Sequence, residues 1–568
     1  MNAKKHIVTS ALLYANGPIH IGHIAGAYLP ADIYVRYLKS KKKDVVFISG
    51  SDEHGAAITL QAKKDGVTPK EIIDKYHNLN KKVFEDFGIK FSIYHRTSEK
   101  IHHKTAQEFF QKLELKKEFK KQISEQYYDE KNNQFLADRY ILGECPKCKY
   151  ENAYGDQCEK CGSTLSPKEL KNPKSTLSGE KPILKETSHW YLQMQKHEKW
   201  LKEWIEKGMI DGKKYHNNKN WKPQVIGQCK SWIDGGLKPR SITRDLEWGV
   251  KVPVKNIEGK VLYVWLDAPI GYISATKEWA KQNKKNWKEY WQNKNTELIH
   301  FIGKDNIVFH CILFPIILRS HGKYILPKNV PANEFLNLEG KKLSTSRNWA
   351  IWLHEYLDDF KDQQDVLRYT LCSIAPETKD SDFTWKDFQA RNNNELVAIF
   401  GNFINRVVVL TNKYWDGFTP KYQDPRKEDV EIIEKIQEYP EKIGNAIEKF
   451  RFREGLIELM NIARLGNKYL AENEPWKLIK TDKKQTGTII YTAIQITVLL
   501  AILSEPFLPF ASKKLKKILN IDCIYWDNKY DEIINEGHKI NKATHLFEKI
   551  DDNKIEEAIN KLKNRQKI

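Results

Sequence analysis

The sequence predicts an α/β chain: a doubly wound parallel sheet, interrupted by a cysteine-bearing insertion and followed by an all-α bundle. Three observations predict it. First, the apolar runs HIVTSALLY (6–14) and DVVFISGSD (44–52) flank a helical pattern, and the second run ends in polar residues. Strands buried on both faces, with polar tips at their carboxyl ends, belong to parallel sheets. Second, this rhythm lapses from about 117 to 235, where turn residues and four cysteines collect. It returns in KVLYVWLDAPIGY (260–272) and ELIHFIGKDNIVFHCILFPIIL (297–318). Third, strand signals are few beyond Asp387, and ELVAIFGNFINRVVVLTNKYW (395–415) and IIYTAIQITVLLAILSEPF (489–507) suit packed helices.

Asn16-Gly17-Pro18 is a turn between the first strand and a helix starting near Ile21. Ile24, Leu29, Ile33, Tyr37 and Leu38 share one side of that helix, and Pro30 predicts a kink in it. The sheet domain is therefore read in two halves, 1–116 and 236–325, around the insertion 117–235. The helical domain spans 387–545, and a charged helical tail follows over 546–568.

A chain of 568 residues exceeds one hydrophobic core and suggests three or four domains. Hydrophobic residues make up 40% and charged residues 30%, as expected of a folded, soluble protein. The net charge of +20 favours a polyanionic partner, because each Lys or Arg beside a phosphate releases a condensed counterion. No secretory signal is read at the N-terminus, since Asn16-Gly17-Pro18 ends a short apolar run. The stretch from Ile489 to Leu503 is shorter than a membrane span and is interrupted by Thr492, Gln495 and Thr497, so it is expected to be a buried bundle helix. A cytoplasmic location with no membrane partner follows. Eight cysteines in so long a chain do not form a disulfide scaffold, and Cys229, Cys311, Cys372 and Cys523 read as buried thiols.

The other four are a different matter. Cys145 and Cys148, then Cys158 and Cys161, form two CxxC pairs nine residues apart. Two such pairs complete a tetrahedral thiolate site for one zinc ion. Four protein ligands leave no position for water, so the expected metal is structural.

Two further motifs concern phosphate. His20-Ile21-Gly22-His23 follows the first strand and opens a helix, whose N-terminus offers unpaired N–H groups and a positive dipole. Gly22 admits close approach of a ligand to the backbone. Downstream, Gly340-Lys341-Lys342-Leu343-Ser344-Thr345-Ser346-Arg347 is a small, basic loop able to neutralise charge on a triphosphate. Taken singly, an HxxH pair also fits a metal site, and a basic loop also fits a solvated surface.

Together, and with SGSDEHG, YVWLDAPIGY, FIGKDNIVFH and NNNELVAIFGNFINR in order between and after them, these motifs resemble those of the methionyl-tRNA synthetases, a class I family. The resemblance covers nearly the whole chain. It implies a Rossmann-like catalytic domain, a zinc-knuckle insertion, a stem-contact segment over 326–386 and an anticodon-binding bundle. It implies ATP, L-methionine and tRNA(Met) as substrates, with Mg²⁺ accompanying ATP and one structural Zn²⁺. His20, His23 and Lys342 become the catalytic residues. Gly22, Lys341, Ser344, Thr345 and Ser346 join them around ATP. The family's KMSKS loop here reads Lys342-Leu343-Ser344-Thr345-Ser346, with Thr345 in place of the second lysine. The same resemblance assigns Ala11, Leu12, Tyr14, Trp265, Ala268, Pro269, Tyr272 and His310 to methionine, with Tyr272 as a donor to sulfur. Asn306 stands where the family often has an apolar residue. Asp52 is to hold the ammonium and Arg244 to pair with Asp52. Asn402, Arg406 and Trp476 are to read the anticodon. A monomer is expected. Two other readings stay open: a small-molecule nucleotidyltransferase of the same architecture, and a non-catalytic zinc-ribbon tRNA-binding protein derived from a synthetase.

Overall fold

In the computed structural model, residues 5–565 are described, apart from 156–157, 159, 162, 164, 258, 346–347, 523–524 and 527–533. Ser346, Arg347 and Cys523 thus lie outside the described residues.

Lys5–Ser10 forms the centre of a six-stranded sheet, pairing in parallel with Asp44–Asp52 on one side and Thr296–Gly303 on the other. Leu13–Tyr14 and Ile93–Arg96 extend the Asp44–Asp52 side, and Ala332–Asn333 extends the other, all in parallel. The side chains alternate between faces, as the strand period requires: Ile7, Val46 and Ile48 enter one apolar core, Val8 and Phe47 the opposite one. The chain leaves the central strand toward Asp44–Asp52 and comes back on the other side at Thr296–Gly303. That reversal makes the carboxyl end of Lys5–Ser10 a switch point, where an open α/β sheet leaves a crevice.

The helix expected from Ile21 is instead composite: α-helical over Ile21–His23, π-helical over Ile24–Tyr28, and α-helical again over Leu29–Ser40. Pro30 sits in the first turn of the last piece, where its missing N–H costs little. A wide π turn directly precedes it.

The insertion strands Phe119–Asp129, Gln134–Phe135 and Ile183–Leu192 form an antiparallel sheet with Arg240–Ser241, which lies just past the expected end of the insertion at 235. The four cysteines lie in the loops that join the strands of a smaller sheet, Ile141–Glu144, Ala153–Tyr154 and Lys171–Ser175. Beyond it, Asn402–Trp415, Phe452–Asn473 and Lys483–Leu503 carry the helical bundle. Lys483–Leu503 is apolar and long enough to cross a membrane by composition alone, yet it is enclosed by its neighbours, as the sequence predicts. Arg368 ties the bundle to the sheet domain: fully buried, it binds Asp32 at 2.7 Å and donates to the carbonyls of Pro506 and Phe507 at 3.1 Å each.

Candidate active site

A cavity of about 470 Å³ opens at the switch point. Ala11, Leu12, Tyr14 and Asp52 reach it from strand ends, and His20, Gly22 and His23 from the helix that follows. Lys342, Leu343 and Thr345 reach it from the distant loop. Residues over three hundred positions apart in sequence therefore line one space.

The two imidazoles are stacked, with ring centroids 3.7 Å apart. Each is fixed by the backbone. The Gly22 N–H donates to His20 Nδ1 at 3.1 Å, and the His20 N–H donates to His23 Nδ1 at 3.2 Å. A nitrogen that accepts carries no proton, so the neutral rings hold theirs on Nε2. Burial keeps both rings neutral: it pushes His20 well below its ordinary value, with His23 adding to the shift, and lowers His23 to about 4. Two Nε2–H donors thus remain for a ligand. A Cβ at Gly22 would lie 2.7 Å from Leu343 Cδ1 and 3.0 Å from His20 Cε1, so any larger residue there displaces the loop leucine and crowds the imidazole.

The loop is anchored to the same helix. Ser344 and Trp349 exchange backbone hydrogen bonds, and the Ile21 N–H donates to Ile351 at 3.1 Å. Leu353 donates to the Ile19 carbonyl at 2.9 Å. The Lys342 ammonium lies 5.3 Å from the Phe335 ring centre. Lys341 turns instead onto Trp349, 4.9 Å from its ring centre, and neither Lys341 nor Ser344 lines the cavity.

Asp52 is buried, and no Lys or Arg pairs with it among the described residues. Burial, then the nearby Asp267 carboxylate, pushes its carboxyl up to about 7. The expected pairing with Arg244 is absent. Arg244 donates to the Thr243 carbonyl at 3.1 Å and stacks 3.9 Å over Tyr263, in an adjoining cavity that Asp52 also touches.

Tyr272 also departs from its expected role. The Nδ1–H of His310 donates to the Asn306 carbonyl at 3.0 Å, so its Nε2 is an acceptor. Tyr272 donates its only hydroxyl proton there at 2.8 Å, leaving none for a sulfur. Tyr272 and His310 are buried behind the wall, while Asn306 lines the cavity. Trp265 stacks on Phe309 with centroids 4.2 Å apart. Trp265, Ala268 and Pro269 share the helix Val264–Gln282 and do not line this cavity. Sequence reasoning missed the chain formed by His54, Asp267 and His102. Asp267 accepts from His54 Nδ1 at 2.7 Å and from His102 Nε2 at 2.5 Å. SDEHG and LDAPIGY contain two of its members, but nothing in the spacing joins them.

The four clustered cysteines converge. Their sulfurs all lie within 4.8 Å of one another, with Cys145–Cys161 at 3.9 Å and Cys148–Cys158 at 3.5 Å. Tetrahedral zinc with bonds near 2.3 Å sets sulfurs about 3.8 Å apart, so the set fits the ion. Cys229, Cys311 and Cys372 are buried free thiols, as expected.

Residues 6–408 match the family described as tRNA synthetases class I (M), and residues 419–567 match the anticodon binding domain of methionyl tRNA ligase. The chain belongs to the methionyl-tRNA synthetase family. A methionine–tRNA ligase of Flavobacterium psychrophilum is 59% identical over 99% of the chain and 81% of that relative. One of Bacteroides fragilis is 58% identical with the same coverage. The fold is that of the Mycobacterium tuberculosis methionyl-tRNA synthetase in complex with methionyl-adenylate, with a TM-score of 0.78 and 21% identity over 96% of this chain and 99% of that one. The non-catalytic alternative finds no support in these matches.

Within this synthetase fold, Asn402 and Arg406 lie one turn apart on Asn402–Trp415. The Arg406 guanidinium sits 5.6 Å over the ring of Trp476, from the short helix Pro475–Leu478. The three expected base readers are brought together, with Trp476 half-buried and Arg406 exposed.

Proposed function

We propose that this chain activates L-methionine with ATP to methionyl-adenylate and transfers it to the 3′ end of tRNA(Met). The observation that carries the reading is one cavity shared by Asp52, the paired imidazoles and Lys342.

The methionine carboxylate attacks the α-phosphate and displaces pyrophosphate. No protein nucleophile is needed. Asp52, ionised, takes the substrate ammonium, and burial strengthens that pair. The Nε2–H groups of His20 and His23 donate to phosphoryl oxygens as charge grows on them. Being neutral and fixed by backbone bonds, they need no reorganisation at that moment. Lys342 supplies the cationic charge from the loop, and Thr345 contributes a hydroxyl in place of a second ammonium. Mg²⁺, when bound with ATP, neutralises the triphosphate. Cys145, Cys148, Cys158 and Cys161 hold one structural zinc. Asn402, Arg406 and Trp476 bind the anticodon bases, with stacking on the indole. The reaction belongs to the cytoplasm, where its tRNA is found.

ATP–pyrophosphate exchange tests this. Strict dependence on methionine is expected, and Lys342→Ala lowers exchange at least tenfold, about 1.4 kcal/mol of transition-state stabilisation. Exchange driven equally by other amino acids removes the reading.

A further inference from the structure

Ile93–Arg96 is an edge strand, paired only with Asp44–Asp52. It lines a cavity of about 910 Å³, a volume in the range of small-ligand sites. The helix Pro69–Asp86, the end of Val264–Gln282 and the start of the helix Lys100–Leu115 supply the other walls. No residue is shared with the cavity of the paired imidazoles.

The helix Lys100–Leu115 starts against its own dipole. A helix N-terminus is already positive and favours carboxylates. Here Lys100, His102, His103 and Lys104 stand among the first five residues, and the first turn holds no acid. Glu99 occupies the N-cap position, yet its side chain accepts from no helix N–H. His102 and His103 donate to the Glu99 carbonyl at 2.9 and 3.1 Å. The N–H groups of Lys100 and Ile101 have no acceptor among the described residues, and both residues line the cavity.

A second observation comes from the strand. His95 lines the cavity and is only 9% exposed, yet nothing among the described residues hydrogen-bonds to its ring. Its nitrogens are not enclosed by protein, as those of His6 are, and so open into the cavity. Burial, with His102 and Arg96 nearby, lowers the ring to about 4, so it is neutral and brings one N–H donor. Buried polar groups are ordinarily bonded, and one left open toward a cavity marks a place for a ligand.

The charge has a matching sign. Lys81, Lys90, Lys100 and Lys281 line the same cavity and make no ion pair among the described residues. Arg96 does not add to them, because Glu53 at 2.8 Å and Asp74 at 2.6 Å neutralise it. Of the three carboxylates present, Glu85, Glu99 and Glu278, the last accepts from Gln282 Nε2 at 3.1 Å. Free ammonium groups, a neutral imidazole and unpaired helix N–H groups together suit phosphate oxygens.

We propose that this cavity binds a small phosphate-bearing anion on the His95 imidazole, the first N–H groups of Lys100–Leu115 and the surrounding lysines. A small molecule fits and an RNA duplex does not, because the recessed His95 lies beyond the reach of a broad backbone. The site is separate from the one assigned to ATP, so it stands or falls independently of the synthetase reading.

Calorimetric titration of the full chain with inorganic triphosphate tests this. The expected result is a binding event that Lys342→Ala leaves in place. Lys100→Ala combined with Lys281→Ala should weaken that event at least tenfold, and His95→Phe at least fivefold. Both lysines are exposed, so the double variant should melt with the parent. The absence of any event beyond the one that Lys342→Ala removes overturns the proposal. So does an event that the double variant leaves within twofold of the parent. A fall in tRNA affinity in the double variant, with triphosphate binding unchanged, would assign the lysines to RNA and overturn it as well.

Discussion

Asp32 and Asp52 are both buried carboxylates of the sheet domain, and they are held in opposite states. Asp32, at the junction with the helical bundle, binds Arg36 at 2.8 Å and Arg368 at 2.7 Å. Burial alone would raise its pKa, yet the two guanidinium groups carry it below the ordinary carboxylate value. Asp52, in the cleft, has no such partner and is pushed up to about 7. The junction satisfies its charge within the protein and so holds domains together. The cleft leaves a carboxylate without a paired cation, at a cost to folding, and the proposed function supplies that cation as the substrate's ammonium. The imidazoles repeat this pattern: Nδ1 is used by the backbone and Nε2 is left over.

Three changes break or sharpen the contrast. The largest effect belongs to Arg368→Ala. It removes a buried cation from Asp32 and from two carbonyls and is expected to cost about 3–5 kcal/mol of stability, read by denaturant unfolding. Asp32 is depressed, so its contribution is complete above its unfolded pKa and lost as pH falls through the folded one. A loss under 1 kcal/mol would mean that the junction is not held by charge.

His20→Ala should leave most of the fold intact while exchange drops about a hundredfold, or ~2.7 kcal/mol, the effect of removing one preorganised donor. A drop below threefold would deny the imidazole its role.

The smallest effect concerns pH. Asp52 must be ionised to bind an ammonium, so the KM for methionine should rise as pH falls below about 7, while the KM for ATP stays flat. The same shift has a stability sign. The folded protein keeps a proton on Asp52 that the unfolded chain has already released. Asp52 therefore weakens folding progressively as pH rises from the ordinary carboxylate value to about 7. Asp52→Asn should accordingly raise the melting temperature of the ligand-free protein at pH 8 and not at pH 4. An unchanged melting temperature at pH 8 would show Asp52 to be satisfied after all.

Local chemistry was legible from the residues. Polar-tipped apolar runs gave the parallel sheet, CxxC spacing gave the four-sulfur cluster, and the apolar stretch from Ile489 to Leu503 gave a buried bundle helix, which in the fold begins earlier, at Lys483. The composite helix was not legible, because Pro30 signals a break without saying that a π turn will absorb it. The partners of Arg244 and Tyr272 were not legible for a related reason. Residue type says what a side chain can bind, and only packing says which neighbour reaches it first. Thr243 and Tyr263 engage Arg244, and His310 Nε2 accepts the hydrogen bond of Tyr272.

The sequence by itself determined which segments become strands and helices and which cysteines cluster, because those properties follow from period, spacing and residue type. Only the tertiary structure decided that His20 and Lys342 face one space, that Asp32 pairs with arginine and Asp52 does not, and that Arg139 and Asp52 line one adjoining cavity. Each of these depends on contacts between residues distant in the chain, and a carboxylate's charge depends on the neighbours that folding supplies.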